Sequence, residues 1–105
     1  MTEQEQVPDN EDMLDEDEVY RLRLFVTGAS PNSARAITNL KAICNEHLKE
    51  NYELEIIDIY QQPLIAQSEQ IIALPLLIKK SPGIERRLIG DMSNKERVLR
   101  GLGLT

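Results

Sequence analysis

Residues 20–50 read YRLRLFVTGASPNSARAITNLKAICNEHLKE, and this stretch decides the fold class. Its first residues alternate, with Tyr20, Leu22, Leu24 and Val26 on one face and Arg21, Arg23 and Phe25 on the other. A two-residue period is that of a strand, here 20–27. Gly28-Ala29-Ser30-Pro31 then turns the chain. Ser30 can cap a helix, and Pro31 suits the first helical position, where its missing N–H costs nothing. Ile37, Leu40, Cys44 and Leu48 recur every three to four residues. That spacing predicts an amphipathic helix over 31–50, with Asn51 as its stop.

Outward from this unit, Leu54 to Tyr60 reads as a second strand. Its apolar run Ile56, Ile57 and Ile59 predicts burial on both faces, as in a central parallel strand. Strand, helix and strand form a right-handed crossover. Pro63 opens a helical stretch to about Ile72, with Leu64, Ile65, Ile71 and Ile72 on one side. Leu74 to Lys79 and Arg86 to Gly90 form a hairpin, closed by Pro82 and Gly83 at the centre of a type II turn. Ser93-Asn94-Lys95-Glu96 is a capping-box pattern. It introduces a last helix carrying Val98, Leu99 and Leu102, which Gly101 and Gly103 weaken. The order βαβαββα is that of a thioredoxin-like α/β single domain, with helices on both faces of one sheet. Signals after Pro63 are mixed, because a short apolar run fits helix or strand.

A chain of 105 residues is one domain on size. No apolar run reaches the ~20 residues of a membrane span. The start is acidic, without the pattern of a secretory signal, and Cys44 has no second cysteine to pair with. These features lead us to expect a cytoplasmic protein. The net charge of −6 is unevenly placed. Residues 1–18 hold nine acids and no Lys or Arg, and the other 87 hold 9 acids against 12 bases, a net of +3. The expected division is a disordered acidic leader over 1–18 and a folded domain over 19–105. The leader reads either as a solvated tail or as a mobile anion that screens a basic face.

Catalytic chemistry is hard to assemble from these residues. In a thioredoxin-like domain the redox dithiol sits between the first strand and the first helix, and that place holds Ala29-Ser30-Pro31-Asn32. Cys44, on the apolar stripe, reads as a buried thiol or, failing that, a redox sensor. One histidine, His47, and one cysteine cannot build the common zinc sites. Gly28 stands alone, so no glycine-rich phosphate loop follows the first strand. Asp58 and Asp91 read as turn or cap residues. We expect no enzyme and no cofactor. Lys79, Lys80, Arg86 and Arg87 cluster on the hairpin, but the chain has only Tyr20, Phe25, Tyr52 and Tyr60 as aromatics. That weighs against nucleic acid. It leaves a solvated hairpin or a contact to an acidic protein surface.

Four segments in colinear order resemble the KaiB family. They are Leu24-Phe25-Val26-Thr27-Gly28 with Ser30-Pro31-Asn32-Ser33-Ala34-Arg35-Ala36; Ile57-Asp58-Ile59 with Pro63; Ile72-Ala73-Leu74-Pro75; and Leu88-Ile89-Gly90-Asp91-Met92-Ser93 with Glu96 and Val98-Leu99-Arg100-Gly101-Leu102. The resemblance spans nearly all of 20–104. It implies a non-enzymatic regulator that binds a KaiC-type ATPase in circadian or stress-response signalling. It also implies two folds from one sequence: a thioredoxin-like monomer that binds the ATPase, and a ground-state tetramer. Pro75 falls at a proline that is cis in thioredoxin-like members, and Gly101 at a glycine that influences the balance of folds. Gly103 stands where cyanobacterial members usually have an acid, and Gln70 where they often have Lys. These departures and the acidic leader weigh against the family's contact to KaiA. Arg35, Lys79, Arg86 and Arg87 match basic positions of the family and are the candidates for the ATPase interface. The second reading is a sensor or adaptor for a histidine kinase, whose sensor module the domain also resembles. A monomer, dimer or tetramer is open. The thioredoxin-like state is the one the element order favours.

Overall fold

The computed structural model describes residues 18–28, 30–71 and 73–104. The expected leader, apart from Glu18, lies outside the described residues, as do Ala29, Ile72 and Thr105. The elements are β1 (Tyr20–Val26), α1 (Pro31–His47), β2 (Tyr52–Asp58), α2 (Pro63–Ser68), β3 (Leu76–Ser81), β4 (Arg86–Ile89) and α3 (Lys95–Leu102). They form one four-stranded sheet in the order β2-β1-β3-β4. β1 and β2 are parallel, and the other pairs are antiparallel. This is the expected thioredoxin-like α/β arrangement.

The alternation in β1 sorts the core into two layers. Leu22, Leu24 and Val26 face α1 and α3, where Leu40, Cys44, Val98 and Leu102 meet them. Phe25 faces the other way and packs with Ile57, Leu76 and Ile78 beneath α2. Leu24 and Phe25 are fully buried, as a strand between two layers requires, and so are Leu40 of α1 and Ile57 of β2.

Several expectations need correction. β2 lies at the edge of the sheet, whereas its apolar run predicted a central strand. The isoleucines split between faces: Ile56 joins the α1 layer and Ile57 the α2 layer, and only Ile57 is fully buried. α1 ends at His47, because both the Leu48 and Lys49 N–H groups donate back to the Cys44 carbonyl and Lys49 takes a φ of 54°. α2 stops at Ser68, and Gln70 has a φ of 58°. β3 begins at Leu76, after Pro75, which has no N–H for a ladder. The Leu74–Pro75 bond is cis. α3 is capped by Asn94, whose side chain accepts from the Arg97 N–H at 3.1 Å, while Ser93 N–H is taken by the Asp91 carboxylate. Asn serves as well as Ser at this position.

The two glycines of α3 differ. Gly103 caps the helix with a φ of 79°, a conformation that favours glycine. Gly101 is helical, and a Cβ there would meet Leu88 Cδ2 at 3.5 Å, an ordinary contact. Gly101→Ala is therefore expected to stabilise this fold by about 1 kcal/mol through helix propensity. A urea melt checks this: the midpoint should rise with the slope unchanged.

Candidate functional site

The carboxyl ends of β1, β2 and β4 and the amino end of β3 meet at one end of the sheet. In open α/β sheets this is where ligands bind. Here the residues build a hydroxyl cluster and two shallow recesses.

The hydroxyl cluster takes the place of a redox dithiol. The Thr27 N–H donates to Ser33 Oγ at 3.0 Å. Ser30 Oγ donates to Ser33 Oγ at 2.8 Å, and Thr27 Oγ1 donates to Ser30 Oγ at 3.2 Å. Ser30 also caps α1 by accepting from the Ser33 N–H. Ser33 is completely buried. Each hydroxyl is committed to the turn. His47 ends α1, about 25 Å along the helix from Ser30. It is out of reach of these hydroxyls as a base.

A recess of about 500 Å³ opens beside the cluster, lined by Thr27, Ser30, Pro31, Asn32, Arg35, Leu74 and Pro75. A second, of about 480 Å³, lies across Leu74 and is walled by Ile59, Ala66, Ile71 and Ala73, with Gln67 and Gln70. Tyr60, which follows Ile59 in the chain, and Leu64 of α2 are about three-quarters exposed.

Asp58 and Asp91 act as turn residues, as expected. Asp58 accepts from the Tyr60 N–H at 2.9 Å, and Asp91 from the Ser93 N–H at 3.1 Å. The Ser93 hydrogen bonds, with a smaller contribution from Arg35, hold the Asp91 carboxyl below the usual carboxylate range. Cys44 is buried, and desolvation pushes its thiol up to about 11. Such a thiol is inert at neutral pH. Among the described residues no group of three or more His, Cys, Asp or Glu is placed to hold a metal. None of their helices is long and apolar enough to cross a membrane.

The four basic candidates do not form one patch. Arg35 alone belongs to the recessed end, where its Nε donates to Asp91 at 3.3 Å and its guanidinium also meets Asn32. Lys79 is 6% exposed, and its Nζ donates to the Pro82 carbonyl at 2.6 Å, so it is spent on its own hairpin. Arg87 lies on the α2 face, bound to the Glu69 carbonyl at 2.7 Å. Arg86 is exposed on the opposite face of the strand. A neighbouring pair in β4 points to opposite faces, which the period of two dictates.

Nothing in the local pattern around Glu69 singles it out. Its side chain is 13% exposed and meets Lys80 at 2.7 Å, Arg23 at 3.1 Å and Arg87 at 3.4 Å. The hydrogen bond from Lys80 is the main cause that holds this carboxyl below its ordinary range, against the opposing effect of burial. The cluster ties the segment after α2 to β1, β3 and β4. Ser33 was also missed, although a second serine three residues after the cap was a usable signal.

The family model of the KaiB domain matches residues 23–104, most of the chain. The chain belongs to the KaiB family. This KaiB-family chain is 49% identical over 83 residues to the circadian clock protein KaiB3 of Synechocystis sp., covering 79% of this chain and 81% of that protein. It is 46% identical over 85 residues to the circadian clock oscillator protein KaiB of Prochlorococcus marinus, covering 81% and 79%. Among solved structures it is similar to the N-terminal domain of Synechococcus elongatus SasA, with a TM-score of 0.66, 22% identity and coverage of 84% and 87%. Mitochondrial thioredoxin 3 of Saccharomyces cerevisiae gives a TM-score of 0.66 at 15% identity, covering 90% and 86%. At these identities the two structures share the fold alone with this KaiB-family chain.

Proposed function

We propose that this chain is a non-enzymatic regulator that binds a KaiC-type ATPase in circadian or stress-response signalling. The observation that carries the reading is the recessed end of the sheet. There, two open recesses share Leu74, one of them lined by Arg35 beside hydroxyls that are all committed to the turn, and Tyr60 and Leu64 stand exposed elsewhere on the surface. That surface suits docking to a protein. Membership of the KaiB family and relatives named as clock proteins supply the kind of partner. The thioredoxin-like monomer is the binding state in this reading. Pro75, Gly101 and Gly103 are the positions at which its balance with a tetrameric fold is set.

The test is light scattering after size-exclusion chromatography of the chain mixed with the KaiC-type ATPase of its own organism, with ATP or ADP. Co-elution that depends on the nucleotide is expected. Arg35→Glu should weaken the complex by tenfold or more, since reversing a charge within an interface places like charges together. Arg86→Glu, at the other end of the sheet, should cost less. No complex in any nucleotide state would overturn the reading and leave the histidine-kinase adaptor in its place.

A further inference from the structure

The two recesses meet at Leu74, which lines both. Their walls differ in chemistry. Arg35 is the only charged residue lining either one, and it stands in the recess beside the hydroxyl cluster. The other recess is walled by apolar side chains, with the exposed amides of Gln67 and Gln70. No carboxylate lines either of them.

A guanidinium carries five N–H donors in one plane. The Nε–H of Arg35 goes to Asp91 at 3.3 Å, and one Nη2–H goes to Asn32. The other three have no acceptor among the described residues. Asp91 is itself anchored. Its carboxylate accepts from the Ser93 N–H at 3.1 Å, and its carbonyl accepts from Asn39 Nδ2 at 3.0 Å. The guanidinium is thus held in place while most of its donors stay open. A carboxylate is the acceptor that suits them, because it can take two parallel N–H bonds from one guanidinium.

Leu74 supplies the link between the two recesses. It is half-buried, and no backbone hydrogen bond among the described residues uses its N–H or its carbonyl. Open main-chain groups at a surface can pair with an extended segment of another chain. In such a segment, side chains two residues apart point the same way, roughly 7 Å from each other. A segment lying across Leu74 can therefore place one side chain in each recess.

We infer that the recessed end takes an extended partner segment in which an acidic residue stands two positions from a leucine-like one. The acid meets Arg35, and the apolar side chain sits between Ile59, Ile71 and Leu74. The backbone of the segment pairs with Leu74. This rests on the docking reading of the same surface and names the chemistry of what docks there.

The test is an NMR titration of the full chain with the peptide acetyl-Leu-Ala-Glu-Ala-Leu-amide, which offers a leucine on either side of the acid and so fits both chain directions. Ordering a short flexible peptide uses up most of its contact energy, so a Kd on the order of millimolar is expected. Saturable shifts should centre on the amides of Arg35, Ala73 and Leu74. Replacing the glutamate of the peptide by glutamine should weaken binding by about fivefold or more, since it removes the charge from the hydrogen bond. Arg35→Gln should do the same to the glutamate peptide. Replacing both leucines by alanine should also weaken it. Shifts centred elsewhere, equal binding of the glutamine peptide, or no saturable shift at about ten times the expected Kd would overturn the inference. The two readings fail separately. An ATPase complex without peptide binding would sink this inference alone, and peptide binding without an ATPase complex would sustain it while the ATPase reading falls.

Discussion

Phe25→Ala is expected to cost about 3–5 kcal/mol. Phe25 is fully buried in β1, one of the two inner strands, and is the only aromatic ring of the α2 layer. Its removal leaves a cavity between Ile57, Leu76 and Ile78 that a hydrogen-bonded sheet cannot close. Total stability for a domain of this size is on the order of 5–10 kcal/mol, so half of it is at stake. Urea unfolding should show the loss as a lower midpoint, and heating as a drop in Tm of roughly 15–30 °C. Phe25→Leu, which keeps most of the volume, should cost under about 1.5 kcal/mol. A loss below ~1 kcal/mol for the alanine variant would show that Phe25 is not the keystone of that layer.

Glu69→Gln should destabilise by about 2 kcal/mol at neutral pH. The figure lies between the ~0.5 kcal/mol of an exposed pair and the ~3–5 kcal/mol of a broken buried one, because the three cations around Glu69 remain about one-third exposed. The amide keeps the shape and leaves Arg23, Lys80 and Arg87 without their shared counter-ion. The effect carries a pH signature. The folded-state pKa of Glu69 lies below its ordinary value of 4.5. The stabilisation is therefore present above that ordinary value and is lost as pH falls through the lower folded-state pKa. Wild type and variant should differ most near pH 7 and converge in acid. A gap that stays constant between pH 7 and strong acid would show that the carboxylate charge is not its source.

The sequence carried the order of elements well, because period and punctuation are local. The alternation of β1, the Ser30-Pro31 start of α1 and the Pro82-Gly83 turn each act within a few residues. Lateral order was not legible in the same way. Ile56, Ile57 and Ile59 look the same in an edge strand as in a central one, since the difference lies in what covers each face. The site was legible in part. The missing dithiol and the isolation of His47 could be read directly, and Arg35 proves to line one of the recesses. The burial of Lys79 was hidden because a long side chain can fold back onto its own turn. Glu69 was hidden because Arg23, Lys80 and Arg87 come from three other parts of the chain.

The edge position of β2 bears on how the molecule behaves in a crowded solution. An open strand edge is a template on which a second copy can add, the first step toward fibrous aggregation. Along β2 the exposed residues are Glu53 and Glu55, tied to Arg21 and Arg23 on the neighbouring strand. Two such edges brought together in parallel register would set carboxylate against carboxylate along the seam. The acids of this strand thus serve as gatekeepers: the edge stays exposed while stacking of one copy on another is discouraged.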